Sequence, residues 1–575
     1  MAELNPVEIW KAARHGFDVW PDLLRWAQEG TPHGSIDEPD LQRMKWYGIF
    51  WRKNDRDRYM IRIRIPGCEM TAEQARAIAF VAYESGHGIV DLTTRGNVQV
   101  QGLTIQKVPG VIAALDRVGL TSKQTGLDNI RNVTSHPLSG VDPAELIDTR
   151  ELARAITALF VGSRVLADLP RKFNISVNGR PDSSPSDWTQ DISWLAARGL
   201  DGDVGFKLLI GGTQGQHPHL GWHLPVFVYP EDVLDVTYRI LQVFRELGDR
   251  TAKRTQVRFR YLIERLGLEA VLDETEKRLG YRLTRFPEPP PPPHASESFI
   301  GWFPQKQAGL WAVGVAVPMG RLTWEQMERL SIIAKRYGDG SLRTAIDQNI
   351  LIPHVGGEAR TALGLDLAAH GLAFNADSLV RNTVACTGRQ FCSVAVIETK
   401  GLAFQLVEEL RRRRVETYGI TIAMSGCVNA CAQHHTADIG LKGVKVRKGL
   451  KIVDGFDLYL GGGTGERVEL GSLYKKGAPF SQLGELLERL VREFHTHHRD
   501  AESFSAFWQR RLRGLKPEVV APEEPPVWRC QECEYFHQGQ EPPGFCPRCA
   551  AVRSRFVVYD GSATETSDVA VSSHV

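Results

Sequence analysis

The chain has 575 residues, 42% of them hydrophobic and 24% charged, with a formal net charge of +2. That length gives room for three or more domains, and the composition is that of an ordinary globular protein. So small a net charge does not by itself support binding to nucleic acid or to an anionic membrane. The opening Met1-Ala-Glu-Leu-Asn-Pro lacks the basic segment and apolar core of a secretory signal. No apolar run approaches the roughly 20 residues needed to cross a bilayer. The expectation is a cytoplasmic protein without membrane association.

In chain order, residues 1–43 carry amphipathic pieces, Val7-Glu-Ile-Trp-Lys and Pro21-Asp-Leu-Leu-Arg-Trp, expected as helices wrapped over the body. From Met44 the pattern turns to alternation. Tyr59-Met-Ile-Arg-Ile-Arg-Ile-Pro66 places Ile61, Ile63 and Ile65 on one strand face, Arg62 and Arg64 on the other. A helix is predicted from Thr71, with Glu73 and Gln74 in its first turn and Ala75, Ile78, Ala79 and Ala82 on its apolar side. Residues 88–99 are then read as one strand closing a β-α-β unit. Alternating strand and helix patterns continue through Leu169-Pro-Arg-Lys172-Phe-Asn174-Ile-Ser-Val to a polyproline run, Pro287–Pro293, which acts as a stiff spacer.

Beyond the proline run the chain repeats itself. Pro66, Thr71, Glu73, Gln74 and Asn97 recur as Pro318, Thr323, Glu325, Gln326 and Asn349 at a constant offset of 252 residues, and Arg131-Asn132 recurs as Arg381-Asn382 at 250. Ile210-Gly-Gly-Thr is matched by Leu460-Gly-Gly-Gly-Thr. A period this long means duplicated domains, not a solenoid, and paired halves commonly bury a site at their interface. After Leu515 a Pro- and Glu-rich linker, 516–527, leads into a small module, 528–560. The Ser/Thr/Asp tail 561–575 is expected to be disordered.

Eight of the nine cysteines fall in close pairs, which without a secretory signal favours metal ligation over disulfides. Cys68, beside Pro66-Gly67, is assigned no chemistry. One tetrad is Cys386-Thr-Gly-Arg-Gln-Phe-Cys392 with Cys427-Val-Asn-Ala-Cys431, its two parts separated by what reads as one helix and one strand. Spacing alone leaves an iron–sulfur cluster and a zinc ion both open. The second tetrad, Cys530-Gln-Glu-Cys533 and Cys546-Pro-Arg-Cys549, sits in a module too small to fold without a metal.

Cys386-Thr-Gly-x-x-x-Cys392 followed by Gly426-Cys427-x-Asn-x-Cys431 resembles the signature of the siroheme- and [4Fe–4S]-dependent nitrite and sulfite reductases, a likeness that runs over residues 44–515. The resemblance implies an α/β fold of two pseudo-symmetric halves. Each half has a ferredoxin-like half-domain (44–106 and 299–358) and a larger domain (107–286 and 359–515), joined through the linker 287–298. It implies that Cys386, Cys392, Cys427 and Cys431 hold the cluster, with Cys431 bridging to the siroheme iron. Arg62, Arg131 and Lys172 match the family's anion-binding positions, Arg62 being preferred to Arg64 by motif register. Arg95, Gln99, Gln348 and Asn429 match its cofactor contacts; Asp91 stands where another arginine is frequent, so one carboxylate partner must come from elsewhere. Sulfite-reducing members carry a second lysine at the position of Asn174. The asparagine is that of the ferredoxin-dependent nitrite reductases, and a two-residue step places Lys172 and Asn174 on one strand face.

Phe545-Cys-Pro-Arg-Cys-Ala resembles the rubredoxin-like domain of rubrerythrins, although Glu534 and Ala550 replace its usual glycines. Iron is expected in the Cys530, Cys533, Cys546 and Cys549 site, with a zinc ribbon as the alternative. The function implied is six-electron reduction of nitrite to ammonia by a monomer. Electrons would come from ferredoxin or a similar small protein, by way of the C-terminal domain. The alternatives are sulfite reduction on the same scaffold and an iron–sulfur electron carrier or redox sensor. A zinc-ribbon nucleic-acid binder is disfavoured by the charge balance. Arg411–Arg414 and the histidines 495, 497 and 498 read as solvated helix ends, the arginines having a docking surface for an acidic ferredoxin as their other reading. Gly461-Gly-Gly-Thr-Gly reads as a structural turn.

Overall fold

Thr71 and Thr323 each open a helix in the same way. The Thr71 hydroxyl accepts from the Gln74 N–H while the Gln74 side chain accepts from the Thr71 N–H, and Thr323 and Gln326 repeat the arrangement. The two helices, Ala72–Ser85 and Trp324–Tyr337, have equal lengths and identical cap dihedrals (φ −81°, ψ 164°). The duplication is therefore structural. In this computed structural model the described residues are 4–52, 57–291, 298–463, 468–513, 518–519, 527–538 and 541–558. Most of the two expected linkers (292–297, 516–517 and 520–526) and the expected tail lie outside them. Two compact units are present, one built from 1–446 and 454–519, the other from 447–453 and 520–575.

Within the large unit each half contributes a five-stranded sheet, and each sheet borrows a strand from the other half. The first runs Ile49–Trp51, Tyr59–Ile63, Val98–Leu103, Ile89–Leu92 and then Arg321–Thr323. The second runs Gly301–Pro304, Leu310–Val315, Ile350–Gly356, Ser341–Thr344 and then Glu69–Thr71. The exchange joins the two sheets through one core, in which Ile61, Ile63, Ile78 and Val100 share a cluster with Leu322, Met327, Leu330 and Ile350. The larger domains have cores of their own around two six-stranded mixed sheets.

Residues 88–99, expected as one strand, form a hairpin instead. Ile89–Leu92 and Val98–Leu103 pair antiparallel around the turn 93–97. The Thr93 hydroxyl accepts from the Arg95 and Asn97 N–H groups, and Gly96 takes φ +63°. This turn carries Thr94 and Arg95, and the Thr94 hydroxyl donates to the Cys431 carbonyl in the second half. Arg62 and Arg64 also part company despite sharing a strand face. Arg64 is fully buried, its guanidinium donating to the carbonyls of Arg131, Lys123, Gln124 and Ile130. Arg64 is a structural cation, and Arg62 is the one left facing the cleft. In the N-terminal stretch, helices span Pro6–Ala13, Trp20–Glu29 and Glu38–Arg43. No helix among the described residues is long and apolar enough to cross a membrane.

Candidate active site

Strands Thr383–Ala385 and Ile422–Ser425 lie side by side and parallel, Thr383 opposite Ile422. Parallel neighbours end at the same sheet edge, so Cys386 and Gly426-Cys427 leave the sheet together. The Gly426 N–H donates to Cys386 Sγ over 3.2 Å, and the Thr399 hydroxyl donates to the Cys386 carbonyl over 2.6 Å. The Asn429 N–H is directed at Cys427. All four thiols are free of disulfides. Burial, followed by the neighbouring Cys431, pushes Cys386 up to about 11 and Cys427 up to about 12. Four thiols crowded in this way become thiolates together only when cations sit among them. One tetrahedral ion with bonds of about 2.3 Å needs its sulfurs about 3.8 Å apart. Among the described residues the compact four-sulfur group is the one at Cys530–Cys549, not this one.

Cations gather near Cys431, whose charge acts on Arg62 and Arg95, and Arg131 and Lys172 in turn feel Arg95. Arg62 lies over the Phe50 ring at 4.5 Å and donates to the Thr125 carbonyl over 2.9 Å. With its amide oxygen turned inward, Gln99 accepts from Arg62 Nε and Nη2 at 3.3 Å. Arg131 is held by the Thr125 and Leu127 carbonyls, its buried Nε without a partner. The Arg95 guanidinium and the Lys172 ammonium make no hydrogen bond or ion pair with any described residue. Burial, and then Arg95, brings Arg62 down to about 10, against the pull of Cys431. Burial, and then Arg62 and Arg95, holds Arg131 well below the usual arginine range. Lys172 is held well below an ordinary lysine by burial and then by Arg258, Arg95, Arg131 and Arg171. Asn174, buried at the start of strand Phe173–Asn178, leaves its Oδ1 unpartnered. Mutually repelling cations in a half-buried cleft form a receptor for an anion.

Some of the singled-out residues also bind the protein itself. Gln348, at φ +68°, donates to the Leu92 carbonyl and accepts from the Ala385 N–H, clamping one half to the other. Asp91 is tied to Arg321 and Lys400, both from the second half. Arg411 pairs with Asp377 and Arg413 with Glu488, as a solvated helix end should. Sequence reasoning missed Lys45, which burial, against the pull of Glu38 and with Arg131, Arg254 and Arg62 adding to it, brings down to about 8. It also missed the buried carboxylates behind the cleft. Asp128 receives Arg254 and Arg171, and Asp191 receives Arg258. Of these only Arg171, adjacent to Lys172, had a sequence cue.

The first half repeats the scaffold without the thiols. The Asn174 and Thr421 N–H groups each donate to a buried aspartate, Asp191 over 2.8 Å and Asp438 over 2.9 Å, which aligns the halves here at an offset of 247 residues. On that alignment Arg180 and Ser184 stand where the second half has Cys427 and Cys431, and at the 250-residue offset His136 and Asp142 replace Cys386 and Cys392. Only one of the two equivalent loops can ligate a cluster.

In the small unit, Cys530, Cys533, Cys546 and Cys549 bring all four sulfurs within 4.8 Å of one another, with pair distances of 3.7 Å (Cys530–Cys549) and 3.4 Å (Cys533–Cys546). Here the spacing does fit one tetrahedral ion. Glu534 and Ala550, the replacements for the expected glycines, take φ +58° and +56° and donate to the Cys530 and Cys546 carbonyls at 2.9 Å. The knuckle turn is kept at the cost of a left-handed non-glycine residue in each loop.

The model of the nitrite and sulphite reductase 4Fe-4S domain matches residues 126–283 and again 376–513, and that of the nitrite/sulfite reductase ferredoxin-like half domain matches 51–118 and 303–370. The chain belongs to the nitrite and sulphite reductase family. It is 36% identical to the chloroplastic ferredoxin–nitrite reductase of Zea mays, over 87% of this chain and 91% of that one. It is 35% identical to the ferredoxin–nitrite reductase of Synechococcus elongatus, over 85% and 96%. Among solved structures, the NirA protein of Mycobacterium tuberculosis superposes with a TM-score of 0.83 at 28% identity, covering 88% of this chain and 96% of that one. Residues 528–557 match the rubredoxin-like domain of rubrerythrin. The cofactors of such a reductase are a [4Fe–4S] cluster and siroheme, with one iron or zinc ion in the C-terminal tetrad. The residues present fit them. Four thiols outside any disulfide at one sheet edge suit the cluster, and the unpartnered Arg95, Lys172 and Arg131 Nε suit a polycarboxylate tetrapyrrole with its anionic ligand. The enzyme is an oxidoreductase.

Proposed function

We propose that this enzyme carries out the six-electron reduction of nitrite to ammonia in the cytoplasm, as a monomer, drawing electrons from a ferredoxin-like protein. The observation that carries the reading is the cleft of Arg62, Arg95, Arg131 and Lys172, with Asn174 rather than a cation beside Lys172. Cys386, Cys392, Cys427 and Cys431 would hold the cluster, Cys431 being shared with the siroheme iron, and Arg95, Gln99, Gln348 and Asn429 would line the tetrapyrrole. When bound, these groups would supply electrons one at a time and an iron to which the substrate could bind.

The side chains do the rest. Arg62 and Arg131 attract and orient a small anion, and their fixed positions offset the negative charge that accumulates during reduction. Lys172 holds a proton at Nζ that its buried, cation-rich setting makes easier to surrender than that of a free lysine. It is the donor we assign to the departing oxygen, recharged from water. Asn174 offers a neutral amide, which suits nitrite, a smaller and singly charged anion, better than sulfite. The C-terminal tetrad, on its own module, would relay electrons from the donor.

The test is anaerobic purification followed by an optical spectrum, iron and sulfide analysis, and ammonia assay. Chlorin-type bands that shift on adding nitrite, with iron in excess of one cluster, are expected. Absence of those bands, or sulfite turnover far above nitrite turnover, would overturn the reading.

A further inference from the structure

Asp91 is buried to 1% exposure in strand Ile89–Leu92 of the first half. A carboxylate so placed persists only with counter-charges. Arg321, directly opposite Asp91 in the borrowed strand, donates Nε and Nη2 to it at 2.7 and 3.0 Å, and Gln101 adds a third bond at 3.1 Å. The remaining partner is Lys400, whose Nζ lies 3.6 Å from Asp91 Oδ1 and also donates to the Met319 carbonyl.

Lys400 is itself only 2% exposed, unusual for a lysine. It is the first residue of helix Lys400–Arg412, and its neighbour Thr399 bonds to the Cys386 carbonyl and lies 3.6 Å from Cys386 Sγ. Arg321 reaches the same loop, donating to Gln390 Oε1 over 2.8 Å and lying 5.3 Å over the Phe391 ring. The loop's own carboxylate, Glu398, is occupied by the Gln390 and Gly401 N–H groups. In the half without thiols the corresponding residue is Arg150, whose side chain is 27% exposed and paired with Asp148 and Glu69. The buried cation of that network is Arg343, paired with Glu69, so at the position of Lys400 itself the cation is deeply buried only in the half that carries the cysteines.

We propose that Lys400 is a positioning residue for the cluster, its buried ammonium seating the Cys386 loop on the first half through Asp91 and making the bound cluster easier to reduce. The proposal rests on the assignment of a cluster to Cys386. A fixed positive charge in a weakly polarisable interior favours whichever state of its neighbour is more negative, which is the reduced cluster.

The experiment uses the full-length holoprotein, purified anaerobically, with Lys400→Met and Lys400→Arg variants. Iron and sulfide contents are measured, and the cluster midpoint potential is followed by electron paramagnetic resonance during redox titration. Lys400→Met should move the potential to more negative values while Lys400→Arg stays near the parent. Cluster loss in Lys400→Met but not in Lys400→Arg would support the seating role. An unchanged potential in Lys400→Met at full cluster content, or equal defects in both variants, would overturn the proposal. A parent protein with no cluster signal at all would instead sink the assignment beneath it.

Discussion

Thr94, in the first half, donates its hydroxyl to the backbone carbonyl of Cys431, in the second, over 2.7 Å, and Gln433 Nε2 returns a bond of 3.1 Å to the Thr94 carbonyl. The pair fixes Cys431 at the seam, between the other thiols and the arginines. Thr94→Val should therefore lower cofactor retention and nitrite turnover by roughly tenfold, as loss of an outer-shell bond commonly does. Cys431→Ser should abolish turnover. Ammonia assays with optical spectra check both, and an undiminished rate in Cys431→Ser would remove the bridging role.

Lys172→Met should reduce kcat/KM for nitrite by on the order of 100-fold, the scale of losing one preorganised charge donor. Asn174→Lys should shift the ratio of sulfite to nitrite turnover toward sulfite. Steady-state assays with both anions read the two effects, and an unaltered ratio would show that position 174 does not select the substrate.

Glu276 gives an acid-stability prediction. Burial works to raise its carboxyl, but bonds from Arg285, Arg282 and the Leu283 N–H outweigh it and hold the group at about 2. A depressed carboxylate stabilises the fold above its unfolded value of 4.5, and the contribution fades as pH falls toward about 2. Glu276→Gln should cost up to about 3 kcal/mol at pH 7 and progressively less below pH 4.5, by denaturant unfolding. A loss independent of pH would count against the ion-pair origin.

Cys530→Ser should release one metal ion per chain while the central cofactors remain. A chain ending at residue 513 should reduce nitrite with a small chemical reductant yet respond more slowly to a protein donor. Metal analysis and paired assays decide; equal rates with both donors would exclude a relay through the C-terminal tetrad.

Thr71→Ala and Thr323→Ala should each cost about 1 kcal/mol, because each removes one side of a capping box. Equal losses in thermal unfolding would show that the two copies still depend on the same local device.

The duplication was legible because capping residues have fixed spacing, so Thr71-x-x-Gln74 and Thr323-x-x-Gln326 could be aligned without knowing the fold. The cysteines were legible because thiol clusters have few other uses. The hairpin at 89–103 was not, since alternation runs straight through Thr93–Asn97 and only Gly96 marks the turn. Nor was the fate of Arg64, which differs from Arg62 through carbonyls supplied by residues 123–131. The strands Glu69–Thr71 and Arg321–Thr323 are three residues each, and their partners lie 270–274 and 230–234 residues away, beyond any local pattern.

That exchange of short strands has a consequence for how the gene can be divided. Cutting the chain at its proline run would leave each fragment with an unpaired sheet edge and a strand that belongs to the other. The two fragments should recover only when made together, each completing its sibling, so the architecture requires that neither copy be produced without the other.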